Sequence, residues 1–121
     1  LHITFAPCLH YTTCYSVKIA TPSAVIVFSA DTAPTERLAR FAHGADLFVC
    51  EAALGDASND SSERGHMDAA EAGREARRAG AKRLLLTHIP EEIGYDFVRE
   101  RAGAEYKGPI DLAMPGLRID V

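Results

Sequence analysis

Ala24-Val25-Ile26-Val27-Phe28-Ser29-Ala30-Asp31 is an apolar run that stops on a carboxylate. The pattern returns in Asp46-Leu47-Phe48-Val49-Cys50-Glu51 and again in Arg83-Leu84-Leu85-Leu86-Thr87-His88. Short apolar runs of this length suit buried strands. If the three strands are neighbours, their ends form one rim, and Asp31, Glu51 and His88 gather on it. In open α/β sheets that carboxyl edge is where ligands bind. Core packing alone does not explain why each run ends on a residue able to bind a metal or move a proton.

Outward from these runs, the chain reads as α/β. Residues 2–6 and 14–20 alternate as strands, and Thr21-Pro22-Ser23 supplies turn chemistry for a hairpin into the run at 24–29. A helix is expected to open near Pro34, with Leu38, Phe41 and Ala42 at helical spacing and Gly44 at its end. Residues 55–65 are rich in Asp, Asn, Ser and Gly, which reads as an exposed loop. Asp68 and Glu71 then form an Asp-x-x-Glu capping box for an alanine-rich helix that stops at Gly80. Pro90 is expected to open a helix to about Ala102, with Ile93, Phe97 and Val98 facing inward. Two short strands, 110–113 and 117–121, would finish the chain around the turn Met114-Pro115-Gly116.

At 121 residues the chain is one domain or a piece of one, with 47% apolar and 25% charged residues. A net charge of −4 gives no electrostatic drive towards nucleic acid. The cluster Arg74, Arg77, Arg78, Lys82 and Arg83 reads as a solvated helix face. No apolar stretch is long enough to span a bilayer. Cys8 and Cys14 flank His10, but their spacing is not that of a structural zinc site. The odd count of three cysteines fits a reducing cytoplasm. The first residue is Leu1 and already belongs to an expected strand, so the chain is expected to be a fragment or a trimmed piece.

Each candidate residue has a plain alternative. His10 lies between two strands and is either a binding group or an ordinary loop histidine. Asp31 could bridge two metal ions, or cap a turn. His88 could ligate zinc, or bond to backbone at a strand end. His66, at a helix start, could pair with Glu51 and deliver a proton to a leaving group, or simply face solvent. His2 and His43 have no comparable setting.

Taken in order, these residues resemble the C-terminal half of a metallo-β-lactamase-fold hydrolase of the ribonuclease Z and phosphodiesterase branch. His10-Tyr11-Thr12-Thr13-Cys14-Tyr15 resembles the family's third metal motif. Phe28-Ser29-Ala30-Asp31-Thr32 resembles its Ser-Gly-Asp-Thr motif, and Asp46-Leu47 through Glu51-Ala52 resembles the strand that follows. Gly65-His66-Met67-Asp68-Ala69-Ala70-Glu71-Ala72 resembles the His-Ser-Thr-Ala-x-Glu-Ala segment. Leu85-Leu86-Thr87-His88 resembles the last metal motif, and Met114-Pro115-Gly116-Leu117 the closing turn. Ala30 stands where the family has glycine, and Met67 and Asp68 stand where it has Ser and Thr.

The resemblance implies half of an αββα sandwich, a mixed sheet with helices on one face. It implies metal ligation by His10, Asp31 and His88, with Asp31 shared between two zinc or manganese ions. It implies that His66, oriented by Glu51, protonates the departing oxygen of a phosphodiester in a small nucleotide or an RNA. The family's first metal motif, His-x-His-x-Asp-His, would lie in an N-terminal half that these residues do not contain. The segment alone is therefore expected to be inactive, and its uncovered sheet face to drive homo-oligomerisation. Two alternatives stay open. One is transfer-RNA 3′ processing of the ribonuclease Z type. The other is a non-catalytic binding or signalling module with Asp31 as phosphoacceptor and Thr87 on a later strand, although such modules want a lysine after a later strand and Lys82 precedes its strand.

Overall fold

The computed structural model describes residues 1–121. Six strands form one sheet in sequence order: β1 (His2–Pro7), β2 (Tyr15–Ala20), β3 (Val25–Phe28), β4 (Leu47–Glu51), β5 (Leu84–Thr87) and β6 (Ile110–Leu112). The first three pair antiparallel, and β3 to β6 run parallel. The Thr21 hydroxyl accepts from Ala24 N at 3.0 Å and Ser23 N at 3.3 Å, which closes the β2–β3 hairpin as the turn residues require.

The parallel strands need crossovers, and three helices supply cover: α1 (Glu36–Phe41), α2 (Ala69–Ala79) and α3 (Tyr95–Glu105). All pack on one sheet face. Val27, Phe48, Cys50, Leu84, Leu86 and Leu112 point there and join Leu38, Met67, the buried alanines of α2, Val98 and Ala102 in one core. Alanine on α2 lets α2 sit close to its neighbours. At Gly73 even a methyl would be too large, because its Cβ would fall 2.6 Å from the Ala102 carbonyl oxygen of α3. The other sheet face is apolar and bare: Ile3, Phe5, Ile19 and Phe28 are all exposed.

The helix ends follow local chemistry, with some differences from expectation. Thr35, not Pro34, caps α1, its hydroxyl accepting from Leu38 N at 3.1 Å. The Asp68–Glu71 capping box is formed, and Gly80 closes α2 in the left-handed conformation at φ 61°. The expected helix from Pro90 is broken. Residues Glu91–Ile93 make one 3-10 turn, Gly94 swings to φ 84°, and α3 starts afresh at Tyr95. That break re-phases the face, so Val98 is buried while Phe97 points outward. Gly116 at φ 84°, with Leu117 N bonded to Met114 O at 3.0 Å, makes the expected type II turn. Residues 117–121 then run exposed and pair with no strand, since the turn does not return them to β6.

Candidate metal centre

The parallel register sets β3, β4 and β5 side by side, with Glu51 opposite Thr87 at the end of the β4–β5 ladder. Asp31 leaves β3 after Ala30, which sits at φ 53°, and His88 leaves β5 at φ 54°. Non-glycine residues adopt this region rarely, at a cost of about 1–2 kcal/mol. Both bends lie at the site, one at His88 itself and one directly before Asp31. His88 Nδ1 and Asp31 Oδ1 are 3.1 Å apart.

Glu51 is the buried anchor, with 1% of its side chain exposed. Its Oε1 accepts from Thr32 N at 2.7 Å, and its Oε2 from Ala53 N at 3.1 Å and Met67 N at 3.4 Å. Ser29 Oγ in turn accepts from Glu51 N at 3.1 Å. One carboxylate thus ties together the segments leaving β3, β4 and the start of α2. Oε1 also lies 2.9 Å from His66 Nδ1, so it holds that ring by its inner nitrogen.

His10 enters from the β1–β2 loop. Its Nδ1 is 2.8 Å from the Gly65 carbonyl oxygen. A carbonyl can only accept, so Nδ1 carries the hydrogen and Nε2 keeps its lone pair. The His10 and His66 ring centroids are 4.8 Å apart, and those of His66 and His88 are 5.4 Å apart. His66 is therefore the middle of the cluster. Two groups of ligand atoms result, each with all atoms within 4.8 Å of one another: His10, Asp31 and His66; and Glu51, His66 and His88.

The donor set fits a divalent transition ion. Imidazole nitrogens and carboxylate oxygens suit zinc and manganese, and the inner nitrogens of His10 and His66 already have the orienting partners such ligands use. The five residues singled out by sequence all lie in this cluster. The sequence did not reveal Gly65, Thr32 and Ser29, which act through a carbonyl, an amide and a hydroxyl.

Other candidates fall elsewhere. Burial, with a smaller push from Cys14 and against the lowering bond to Ser16, takes the Cys8 thiol up to about 11, so it stays protonated at neutral pH. Cys50 is fully buried and packs on Met67. Lys82 is bonded to Asp46 at 2.7 Å, at the opposite sheet edge from Asp31. The basic cluster is paired too: Arg74 and Arg77 with Glu105, Arg78 with Glu75, and Arg83 with Asp111.

Residues 1–89 match the family model described as the β-lactamase superfamily domain. The chain belongs to the β-lactamase superfamily. Its fold is the metallo-β-lactamase fold: it superposes on the crystal structure of YhfI from Bacillus subtilis with a TM-score of 0.88 at 36% identity, over 95% of this chain and 46% of that one. In sequence it is 37% identical over 114 residues to that protein, the "Probable metallo-hydrolase YhfI" of Bacillus subtilis (strain 168), covering 94% of this chain and 46% of the relative. It is also 37% identical over 103 residues to the ribonuclease Z of Myxococcus xanthus, covering 83% of this chain and 34% of the relative. Human tRNase Z, short form, shares the fold with a TM-score of 0.68 at 21% identity, over 92% of this chain and 38% of that one. The superfamily segment thus spans less than half the length of each of these relatives. No helix in it is long and apolar enough to cross a membrane.

Proposed function

We propose that this segment is the C-terminal part of a metal-dependent phosphodiester hydrolase, completed by an N-terminal half that carries His-x-His-x-Asp-His. The observation that carries the reading is the convergence of His10, Asp31 and His88 on one rim, the ligand atoms of Asp31 and His10 lying within 4.8 Å of each other and Asp31 Oδ1 lying 3.1 Å from His88 Nδ1. His10, Asp31 and His88 would hold the metals, Asp31 serving both. Two zinc or manganese ions, when bound, would supply Lewis acidity and an activated water near neutral pH.

The rest is done by this chain's own side chains. Glu51, immobilised by three backbone amides, fixes His66 by its Nδ1 and leaves Nε2 to hand a proton to the departing alkoxide. The carboxylate of Glu51 also stabilises the imidazolium before that transfer. Tyr11, exposed beside the His10 ring, walls the approach.

The substrate class favoured is a small phosphodiester such as a cyclic nucleotide, because the basic residues of α2 are each neutralised by a carboxylate. Identity to ribonuclease Z supports a second reading, transfer-RNA 3′ processing. The test is hydrolysis of bis(p-nitrophenyl) phosphate, a cyclic nucleotide and a transfer-RNA precursor by the full-length protein, its Asp31→Ala variant and residues 1–121 alone. We expect turnover only by the full-length wild type, with the nucleotide preferred over the precursor. No turnover of any of the three by the full-length wild type would leave a non-catalytic module as the better account, and full activity in Asp31→Ala would overturn the metal-ligand role of Asp31.

A further inference from the structure

We propose that Gly65 is the positioning residue for His10, and that the Arg64–Glu71 ion pair holds it in place; this rests on the metal-centre reading above. The β1–β2 loop does little to fix the His10 ring. Its residues Leu9 and Tyr11 are exposed, and its bonds fix main chain only: Cys8 N to Cys14 O at 3.0 Å, Ala33 N to Leu9 O at 2.8 Å and Leu9 N to Thr32 Oγ1 at 3.0 Å. The orientation comes from a segment 55 residues later in sequence, where the Gly65 carbonyl takes the Nδ1 hydrogen at 2.8 Å.

Space requires glycine here. A Cβ on residue 65 would lie 2.7 Å from His10 Nδ1 and 2.8 Å from two Tyr11 ring carbons. Gly65 is not among the glycines with positive φ, so backbone conformation does not demand it. The side-chain-free surface exists to let the ring seat against the carbonyl.

The carbonyl is pinned from both neighbours. On one side, Arg64 forks onto Glu71 of α2, Nη1 to Oε2 at 3.0 Å and Nη2 to Oε1 at 2.7 Å, with the two side chains 16% and 11% exposed. Bidentate, poorly solvated pairs of this kind fix geometry as well as charge. Glu71 is itself held, because its Oε2 accepts from Asp68 N at 2.9 Å in the capping box. On the other side, His66 is bonded to Glu51 at 2.9 Å. Three consecutive residues therefore set two imidazoles: Arg64 anchors, Gly65 orients His10, and His66 stands between the two groups. The polar loop at 55–65 is thereby coupled to the metal site through one carbonyl.

The test uses the full-length protein with Gly65→Ala, Arg64→Met and Arg64→Lys. Zinc affinity is read by competition with a chromophoric chelator, and the His10 tautomer in the metal-free protein by long-range nitrogen–proton NMR. We expect a roughly 10–100-fold loss of affinity at the weaker site in Gly65→Ala, the range seen when an outer partner of a ligand is lost. A smaller loss is expected in Arg64→Met. His10 should be in the Nδ1–H tautomer in the wild type and should lose that preference in Gly65→Ala. Arg64→Lys keeps the charge but not the fork, and is expected to fall near Arg64→Met; it answers the same question if Gly65→Ala does not fold. Variants with a lower melting temperature but wild-type zinc affinity and tautomer would overturn the proposal while leaving the metal centre standing. A wild type that binds no zinc would overturn both.

Discussion

Glu51 shows how a single residue can serve structure and chemistry together. Its two oxygens meet three backbone amides and one imidazole, so Glu51→Gln places an amide NH2 against donors. We expect that variant to lose hydrolysis by roughly 10²-fold or more, consistent with loss of positioned proton transfer, while circular dichroism still shows the fold. Ala30 gives a second expectation. It sits at φ 53°, where the left-handed strain of about 1–2 kcal/mol exceeds the entropy cost of glycine. Ala30→Gly should therefore raise stability by about 0.5–1 kcal/mol in chemical denaturation. Asp31, Glu51 and His88 were legible because each ends an apolar strand, and a reactive side chain there stands out from packing. Gly65 and Thr32 were not, since they act through main-chain atoms that every residue carries.

At the scale of elements, α2 is the most heavily constrained piece. Its start is fixed by the capping box, its end by Gly80, and its body by close approach to α3 at Gly73. These were readable in outline from Asp68, Glu71 and the alanines. The kink at Gly94 was not, because a 3-10 turn and a helix share the same apolar spacing over three residues. Buried Glu75 was also hidden. Its side chain is fully enclosed, with Oε1 bonded to Arg78 at 3.1 Å and Oε2 without a partner. Burial raises its carboxyl above the usual range. The folded state then holds that proton more tightly than the unfolded chain, so this group's contribution falls as pH rises from the unfolded value of about 4.3 through the folded one. Glu75→Gln should be more stable than wild type at pH 7, by about 1 kcal/mol. The gain should vanish below pH about 4, where both states of the wild type are protonated. Urea denaturation at the two pH values checks both the sign and the window.

For the whole molecule, the decisive feature is the bare sheet face. Ile3, Phe5, Ile19 and Phe28 form an exposed apolar surface opposite the helical layer. Surfaces of that kind are covered by a partner or drive association. Under the function proposed above, an N-terminal half would be the cover. Residues 1–121 expressed alone should self-associate in sedimentation velocity, and the pair Phe5→Lys and Phe28→Lys should shift them towards monomer. A monomeric wild-type segment would count against the cover. The mixed α/β class was legible from the strand and helix alternation, while the strand order and which face lay bare followed only from the pairing register.

The most direct test of the central claim is anomalous diffraction at the zinc edge from crystals of the zinc-loaded full-length protein. Two peaks are expected, bridged by the Asp31 carboxylate and lying against His10 and His88, with His66 between them and the substrate. Peaks away from these side chains, or full zinc occupancy unchanged in Asp31→Ala, would contradict the account.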